Sequence, residues 1–120
     1  MDLYREEILD HYKHPRNFGH LSGANITSEE MNPSCGDRVM IEIAVSDQEI
    51  ADIRFSGQGC AINQASASML TEKVKGMKIS DIMKLTLYDV EKLLGTTLTP
   101  SRVKCALLPL EAIQKAVYGQ

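Results

Sequence analysis

The feature that most constrains the fold of this chain is a change in the spacing of its apolar residues. Between residues 38 and 46, apolar β-branched side chains alternate with other residues: Val39, Ile41, Ile43 and Val45. After a short turn at Asp47 and Gln48 the alternation resumes, with Ala51, Ile53 and Phe55 on one face. Two such runs predict a β-hairpin with one buried face. Because two strands alone are only marginally stable, we expect a third strand around residues 24–28.

From Cys60 onward the spacing becomes typical of helices. A first helix would carry on one face Ile62, Ala65, Met69 and Lys73, and Gly76 could close it. Residues 86–89 resemble a capping box that opens a short helix, which Gly95 ends. A last helix carries Leu110, Ile113, Ala116 and Val117.

The N-terminal region predicts one more helix. Asp2 is a suitable cap for a helix with one apolar face, made of Tyr4, Ile8, Leu9 and Tyr12. Pro15 and Gly19 should end it. Strands followed by helices indicate the α+β class, here a small antiparallel sheet of about three strands packed on one face by about four to five helices. The length of 120 residues predicts a single domain, residues 1–120.

Charge and apolar content argue against two kinds of partner. The net charge is −3 and the basic residues are scattered, so we expect no nucleic-acid binding. No apolar stretch approaches the roughly 18 residues of a membrane span, and the N-terminus lacks the apolar core of a signal peptide. We therefore expect a cytoplasmic monomer or weak oligomer, in a compartment that keeps thiols reduced.

The three cysteines lie at predicted element boundaries rather than inside a predicted core. Cys35 lies in a sharp loop shaped by Pro33 and Gly36, and Asp37 offers a carboxylate two residues later. Cys60 follows a Gly-Gln-Gly run at the start of a helix, whose N-terminus should favour a thiolate.

Cys105 lies close in sequence to Arg102 and Lys104, which should favour its thiolate. Pro109 removes the N–H that would bond the Cys105 carbonyl, so either a helix begins close to Cys105 or an earlier one kinks there. One buried cysteine alone is usually inert, but three at such boundaries, one beside an aspartate, favour one shared site. Three thiolates and a carboxylate suit zinc, or iron with sulfide.

At these residues the sequence resembles the U-type iron–sulfur assembly proteins, the family of IscU, SufU and the N-terminal domain of NifU. The matching segments follow the family's order: YREEILDHYKHPRNFG at 4–19, NPSCGD at 32–37, FSGQGCAINQASASM at 55–69 and RVKCALLPLEAI at 102–113. The resemblance implies that a cysteine desulfurase passes persulfide sulfur to a cysteine of this chain. That sulfur would enter a nascent [2Fe–2S] cluster or pass onward, with downstream iron–sulfur carrier proteins as further partners.

The resemblance also implies the metal or cluster ligands, which are Cys35, Asp37, Cys60 and Cys105, in a scaffold or sulfur acceptor rather than an enzyme. IscU-type members carry a histidine before the last cysteine, whereas this chain has Lys104 there. The resemblance then implies a ligand set without histidine, as in SufU-type proteins. Because SufU-type proteins bind zinc tightly, Zn²⁺ is the expected metal, with iron or a transient [2Fe–2S] cluster as the alternative. The short spacing from Cys60 to Cys105 instead resembles IscU. SufU-like behaviour favours Cys35 as the sulfur acceptor, and IscU-like behaviour favours Cys105.

Two other functions are compatible with the cysteines. A structural zinc module that binds a partner would have a closed site, unfold on metal removal and accept no sulfur. A thiol hydrolase needs a base beside its nucleophile, and no histidine accompanies a cysteine in sequence. We expect surface or N-terminal packing roles for the three histidines, His11, His14 and His20.

Overall fold

A computed structural model describes residues 6–120. Over that range it contains three strands and five helices: α1 (Glu6–Lys13), β1 (Ile26–Met31), β2 (Arg38–Ser46), β3 (Glu49–Gln58), α2 (Ala61–Val74), α3 (Ile79–Ile82), α4 (Leu87–Leu94) and α5 (Pro100–Val117). The strands form one antiparallel sheet in the order β1-β2-β3. Helices α2 and α5 pack against the sheet, and the buried apolar residues form one continuous cluster. The predicted α+β class is confirmed.

The predicted hairpin is β2 and β3, and its turn has the geometry that strand twist favours. Asp47 and Gln48 have φ values of 54° and 63°, both left-handed, as in the two-residue turns that match twisted strands. The third strand, predicted around residues 24–28, lies at Ile26–Met31 and pairs with β2.

One residue of the hairpin faces the other way from its prediction. Ala51 was expected on the buried face, but it is exposed, and Ile50 is buried instead. The pairing shifts beside Ala44, so that Val45 lies opposite Ile50 while Ala44 lies opposite Asp52. Ala51 is therefore the extra residue of a β-bulge, which reverses the alternation on its N-terminal side.

Helix α2 is buried on almost every side. It contacts α1, α4, α5 and β3, and its buried positions include polar residues, namely Asn63, Gln64, Ser66, Ser68 and Thr71. The predicted apolar positions Ile62, Ala65 and Met69 are buried as expected. Lys73 was placed on the same face, but it is exposed, whereas its neighbour Val74 is buried.

Two predicted helix signals take their expected form around α4. Thr86 and Asp89 form a capping box, with the Thr86 backbone N–H donating to Asp89 Oδ2 at 2.8 Å. Gly95 ends the helix in the left-handed conformation, with φ of 74°. Helix α5 then begins at Pro100, where a proline is well tolerated, and runs through Pro109 to Val117.

The N-terminal region packs against α2 and the outer edge of β3. The predicted contributions of Asp2 and Tyr4 lie outside the described residues. Gly19 N–H donates to the Phe55 carbonyl at 2.8 Å, and Phe55 N–H donates to the Asn17 carbonyl at 2.9 Å. Across residues 6–120, no helix combines the length and apolar content that a bilayer crossing requires.

Candidate metal centre

The loop that carries Cys35 and Asp37 is held by its own backbone. Gly36 N–H donates to the Asn32 carbonyl at 2.8 Å, and Asn32 N–H donates to the Asp37 carbonyl at 2.9 Å. Gly36 adopts a left-handed φ of 79°, which glycine tolerates without strain. The closed loop leaves Cys35 exposed, whereas Asp37 is only 8% exposed.

Cys60 is placed beside this loop by the pairing of β2 with β3. It is the N-cap residue of α2, as predicted, and it follows the strand end where Gln58 pairs with Arg38, the neighbour of Asp37. Gly57 allows this close approach: its φ is +127°, and a Cβ there would lie 2.1 Å from the Arg38 carbonyl oxygen. A side chain at position 57 would therefore separate the two strand ends.

Cys105 lies inside α5 and is 8% exposed, so its predicted position at an element boundary is wrong. Its carbonyl has no helical donor, because Pro109 carries no N–H. The Asn63 side chain of α2 supplies one, with Nδ2 donating to the Cys105 carbonyl at 3.2 Å. One turn further along α2, Ser66 Oγ donates to the Ala106 carbonyl at 2.7 Å. These contacts from α2 let one helix continue through the proline.

The structure brings together three of the four side chains that the sequence singled out. Donor atoms of Cys35, Asp37 and Cys105 all lie within 4.8 Å of one another. Cys60 is not in that triplet, but it lies close enough to act on the Cys105 thiol, whose pKa it raises. Among the described side chains, Asp37 Oδ2 is a buried polar atom with no hydrogen-bond partner. A buried carboxylate oxygen without a partner is rare in folded proteins.

Burial raises the pKa of the Cys105 thiol to about 12. Cys60 adds to this rise through charge and through its hydrogen bond, and the charges of Asp37 and Cys35 act in the same direction. We expected Arg102 and Lys104 to favour the thiolate, but neither is among the causes of this rise in pKa, and Lys104 is exposed to solvent.

The histidines take the packing and surface roles predicted for them. His11 Nδ1 is hydrogen-bonded to Ser68 Oγ at 2.7 Å, which joins α1 to α2. His20 Nδ1 is hydrogen-bonded to Glu42 Oε2 at 2.8 Å on the surface, and His14 is exposed.

Sequence reasoning missed Asn63, whose amide bonds the backbone of a cysteine 42 residues away. The missing N–H of Pro109 was a signal that some donor must reach the Cys105 carbonyl. A second signal was the run of polar residues in a helix that follows a buried strand. Neither signal identified the partner, because that depends on how α2 and α5 cross.

Comparison with known proteins gives consistent results. The profile of the NifU-like N-terminal domain family matches residues 3–119. The chain is 39% identical to the zinc-dependent sulfurtransferase SufU of Bacillus subtilis, over 96% of this chain and 89% of that protein. It is 40% identical to the iron–sulfur cluster assembly scaffold protein IscU of Aquifex aeolicus, over 95% of this chain and 73% of that protein.

A solved structure has the same fold. The crystal structure of FiSufU from Fervidobacterium islandicum AW-1 superposes with a TM-score of 0.80 at 30% identity, covering 96% of each chain. The fold, the clustered thiols and carboxylate, and these relatives together define a class, the iron–sulfur cluster assembly scaffold proteins. Within it, the chain belongs to the NifU-like N-terminal domain family.

Proposed function

We propose that this scaffold is also a zinc-dependent sulfur acceptor, which takes persulfide sulfur from a cysteine desulfurase. Its proposed metal ligands are Cys35, Asp37, Cys60 and Cys105. The observation that carries the proposal is Asp37 Oδ2, a buried oxygen without a hydrogen-bond partner. The Asp37 carboxyl group lies within 4.8 Å of the thiols of Cys35 and Cys105.

The donor set fits a metal ion. An unsatisfied buried polar group costs about 1–3 kcal/mol, and a cation would offset that cost by giving the oxygen a partner. Three sulfurs and one carboxylate oxygen match the four-coordinate preference of zinc. Zinc, when bound, holds its thiol ligands in the thiolate form at neutral pH.

Two of the cysteines are candidates to receive the sulfur, and their positions favour Cys35. Cys35 is exposed on a loop outside the strands and helices, so it can reach a partner without disrupting a helix. Cys105 is buried within α5 and is the alternative acceptor. The Cys35 thiolate would attack the terminal sulfur of the desulfurase persulfide. A new S–S bond forms on Cys35, and the desulfurase cysteine leaves as a thiolate, so no external electrons are needed.

The two branches of the family differ in features that this chain combines. Lys104 precedes the last cysteine, which we associate with the SufU type. The alignment with the Bacillus SufU spans 132 positions, which is longer than this chain of 120 residues. The Bacillus protein therefore has residues without a counterpart here. The alignment with the Aquifex IscU spans only 116 positions. We give more weight to Lys104, because it adjoins a proposed ligand.

Iron and sulfide are the proposed cargo rather than the resident cofactor. Sulfur accepted on a cysteine would be built into a [2Fe–2S] cluster on the same ligands, or passed to a downstream iron–sulfur carrier protein. Metal analysis with an absorption spectrum separates the resting states. A colourless protein with one zinc supports a zinc-loaded acceptor, whereas a coloured sample containing sulfide contradicts zinc as the resident metal.

The test of the proposed function is sulfur transfer itself. The protein is incubated with a cysteine desulfurase and cysteine, without reductant, and its intact mass is measured. We expect the added mass of sulfur on the wild type and on Cys105→Ala supplied with excess Zn²⁺, and none on Cys35→Ala under the same conditions. Adduct retained by Cys35→Ala but lost by Cys105→Ala would transfer the acceptor role to Cys105. No adduct on the wild type would overturn the acceptor function.

A structural zinc module is the second candidate, and the position of Cys105 favours it. Cys105 belongs to the apolar core, so a metal bound there would fasten α5 to the loop before β2. This alternative predicts that metal removal unfolds the chain and that no cysteine gains sulfur.

A further inference from the structure

We infer that Asn63 is a positioning residue that fixes the separation of Cys60 from Cys105. The inference rests on the proposed function, because it treats both cysteines as ligands of one metal. Asn63 is fully buried and lies three residues after Cys60, in the first turn of α2. Its side chain is bonded to the backbone of Cys105 itself. The Asn63 amide therefore connects the first turn of α2, which follows Cys60, with Cys105 in α5.

This contact differs from ordinary packing because the Cys105 carbonyl lacks the regular donor of its own helix, the N–H of residue 109. In a continuous helix the Cys105 carbonyl would accept the N–H of residue 109, which proline lacks. Asn63 Nδ2 approaches this carbonyl at 3.2 Å. Position 105 is thus held by α2 rather than by its own helix alone.

The Asn63 amide is itself held in a fixed orientation. Its Oδ1 accepts a hydrogen bond from Gln64 Nε2 at 3.2 Å. On the other side lies Gly59, where an added Cβ would come within 2.5 Å of Asn63 Oδ1. A glycine immediately before Cys60 is therefore needed to leave room for the amide. An amide bonded through both its nitrogen and its oxygen can set a distance, whereas a mobile one cannot.

Ser66 provides a matched control in the same interface. It also donates from α2 to a carbonyl of α5, that of Ala106, at 2.7 Å. The helical donor for that carbonyl is the N–H of Leu110, which is not a proline. Removing the Ser66 hydroxyl therefore breaks a contact between the two helices, but it does not leave the carbonyl of a cysteine without a hydrogen-bond donor.

The first experiment compares Asn63→Ala with Ser66→Ala in the full chain. Zn²⁺ affinity is measured by competition with a chromogenic chelator, and Co²⁺ absorption bands report the geometry of the site. Changes to groups that orient metal ligands typically cost 10- to 100-fold in affinity, and a bond to the ligand's backbone should fall near the lower figure. We expect Asn63→Ala to lose about tenfold and to shift the Co²⁺ bands. Ser66→Ala should keep its affinity and bands, even where both variants melt at lower temperature.

The second experiment separates positioning from simple satisfaction of a carbonyl. Pro109→Ala restores a backbone N–H that can bond the Cys105 carbonyl within α5. Asn63→Ala is therefore made in two backgrounds, the wild type and Pro109→Ala. It should lower the melting temperature less in the Pro109→Ala background than in the wild type. The Zn²⁺ affinity of the double variant should stay about tenfold weaker, because the connection to α2 is still missing.

The outcomes distinguish this inference from the proposed function. If Zn²⁺ affinity recovers together with stability in the double variant, Asn63 is only structural and the inference is overturned. Unchanged affinity and Co²⁺ bands in Asn63→Ala would also overturn it. Failure of the wild type to bind Zn²⁺ would instead overturn the metal-dependent function.

Discussion

The two ends of α2 differ in how they treat buried polar atoms. In the C-terminal half, Ser68 Oγ accepts the Arg16 backbone N–H at 2.8 Å and is bonded to His11. At the N-terminal end, close to Cys60, Asp37 Oδ2 is buried without a partner. A fully paired polar contact thus lies near one end of the helix, and an unpaired polar atom lies near the other. The unpaired oxygen is therefore a local property of the cysteine site, and not a sign of loose packing throughout the molecule.

The difference predicts opposite responses to mutation. At the paired end, removal of a polar group should lower stability and leave metal binding unchanged. At the cysteine end, removal of a proposed metal ligand should weaken metal binding and should not lower the stability of the metal-free protein. Four variants test this contrast, in order of decreasing expected effect.

The largest effect is expected for Cys105→Ala. Loss of one of four ligands should weaken Zn²⁺ binding by at least about a hundredfold, which corresponds to about 2.7 kcal/mol. With a chelator present, the melting temperature should change little, since a buried free cysteine behaves as a small apolar residue. Chelator competition and thermal melts measure the two quantities. Affinity within tenfold of the wild type would exclude Cys105 from the ligand set.

Ser68→Ala should show the reverse pattern. It leaves the half-buried Arg16 N–H and His11 ring without their shared partner, so the free energy of unfolding should fall by about 1 kcal/mol. Zn²⁺ affinity should not change, because Ser68 lies about two helical turns from Cys60 and contacts α1 and Arg16 rather than a proposed ligand. Urea unfolding with a chelator present gives the first quantity, and chelator competition gives the second. A weakened metal site in this variant would show that the two ends are coupled.

Asp37→Ala should stabilise the protein when a chelator is present. It removes the buried oxygen that has no partner, and we expect the free energy of unfolding to rise by about 1 kcal/mol. The same change should weaken Zn²⁺ binding. Urea unfolding with and without Zn²⁺ measures both effects. A loss of stability in the presence of chelator would mean that the carboxyl group is structural, and the contrast between the two ends would fail.

The smallest effect is expected at the surface of the paired end, for Asp10→Asn. The side-chain hydrogen bond from Arg16 lowers the pKa of the Asp10 carboxyl below its ordinary value of 3.8. A carboxyl with a lower pKa in the folded state stabilises the fold above pH 3.8, and this stabilisation is lost as the pH falls through the folded value. The wild type should therefore exceed the variant in stability at neutral pH, and the gap should close in acid. A gap that widens on acidification would contradict this assignment.

Much of the fold was predictable because local patterns agreed with tertiary demands. The alternation at Val39, Ile41 and Ile43 specified a strand with one buried face, and the Thr86–Asp89 box specified where a helix begins. The bulge at Ala51 was not predictable, since the choice between Ala51 and Ile50 as the buried residue depends on what α2 and the sheet enclose.

The grouping of three of the proposed ligands was predictable, but their environment was not. Cysteines beside glycine and proline indicated a shared site, and the structure brings Cys35, Asp37 and Cys105 together. Burial of Cys105 within a helix was missed, because the break expected at Pro109 is repaired by a residue 42 positions away in sequence. Contacts of that range follow from helix packing, which no local pattern encodes.

The N-terminal segment that pairs with β3 also limits how copies of this protein can associate. Exposed sheet edges are templates for further strands, and proteins guard them by coverage or by charge. Along β3 the outer edge is covered through Asn17 and Gly19. Along β1, Lys115 Nζ donates to the Glu29 carbonyl at 3.3 Å and pairs with Glu30 at 3.1 Å. One edge is thus covered and the other carries charge, which opposes growth of the sheet into aggregates.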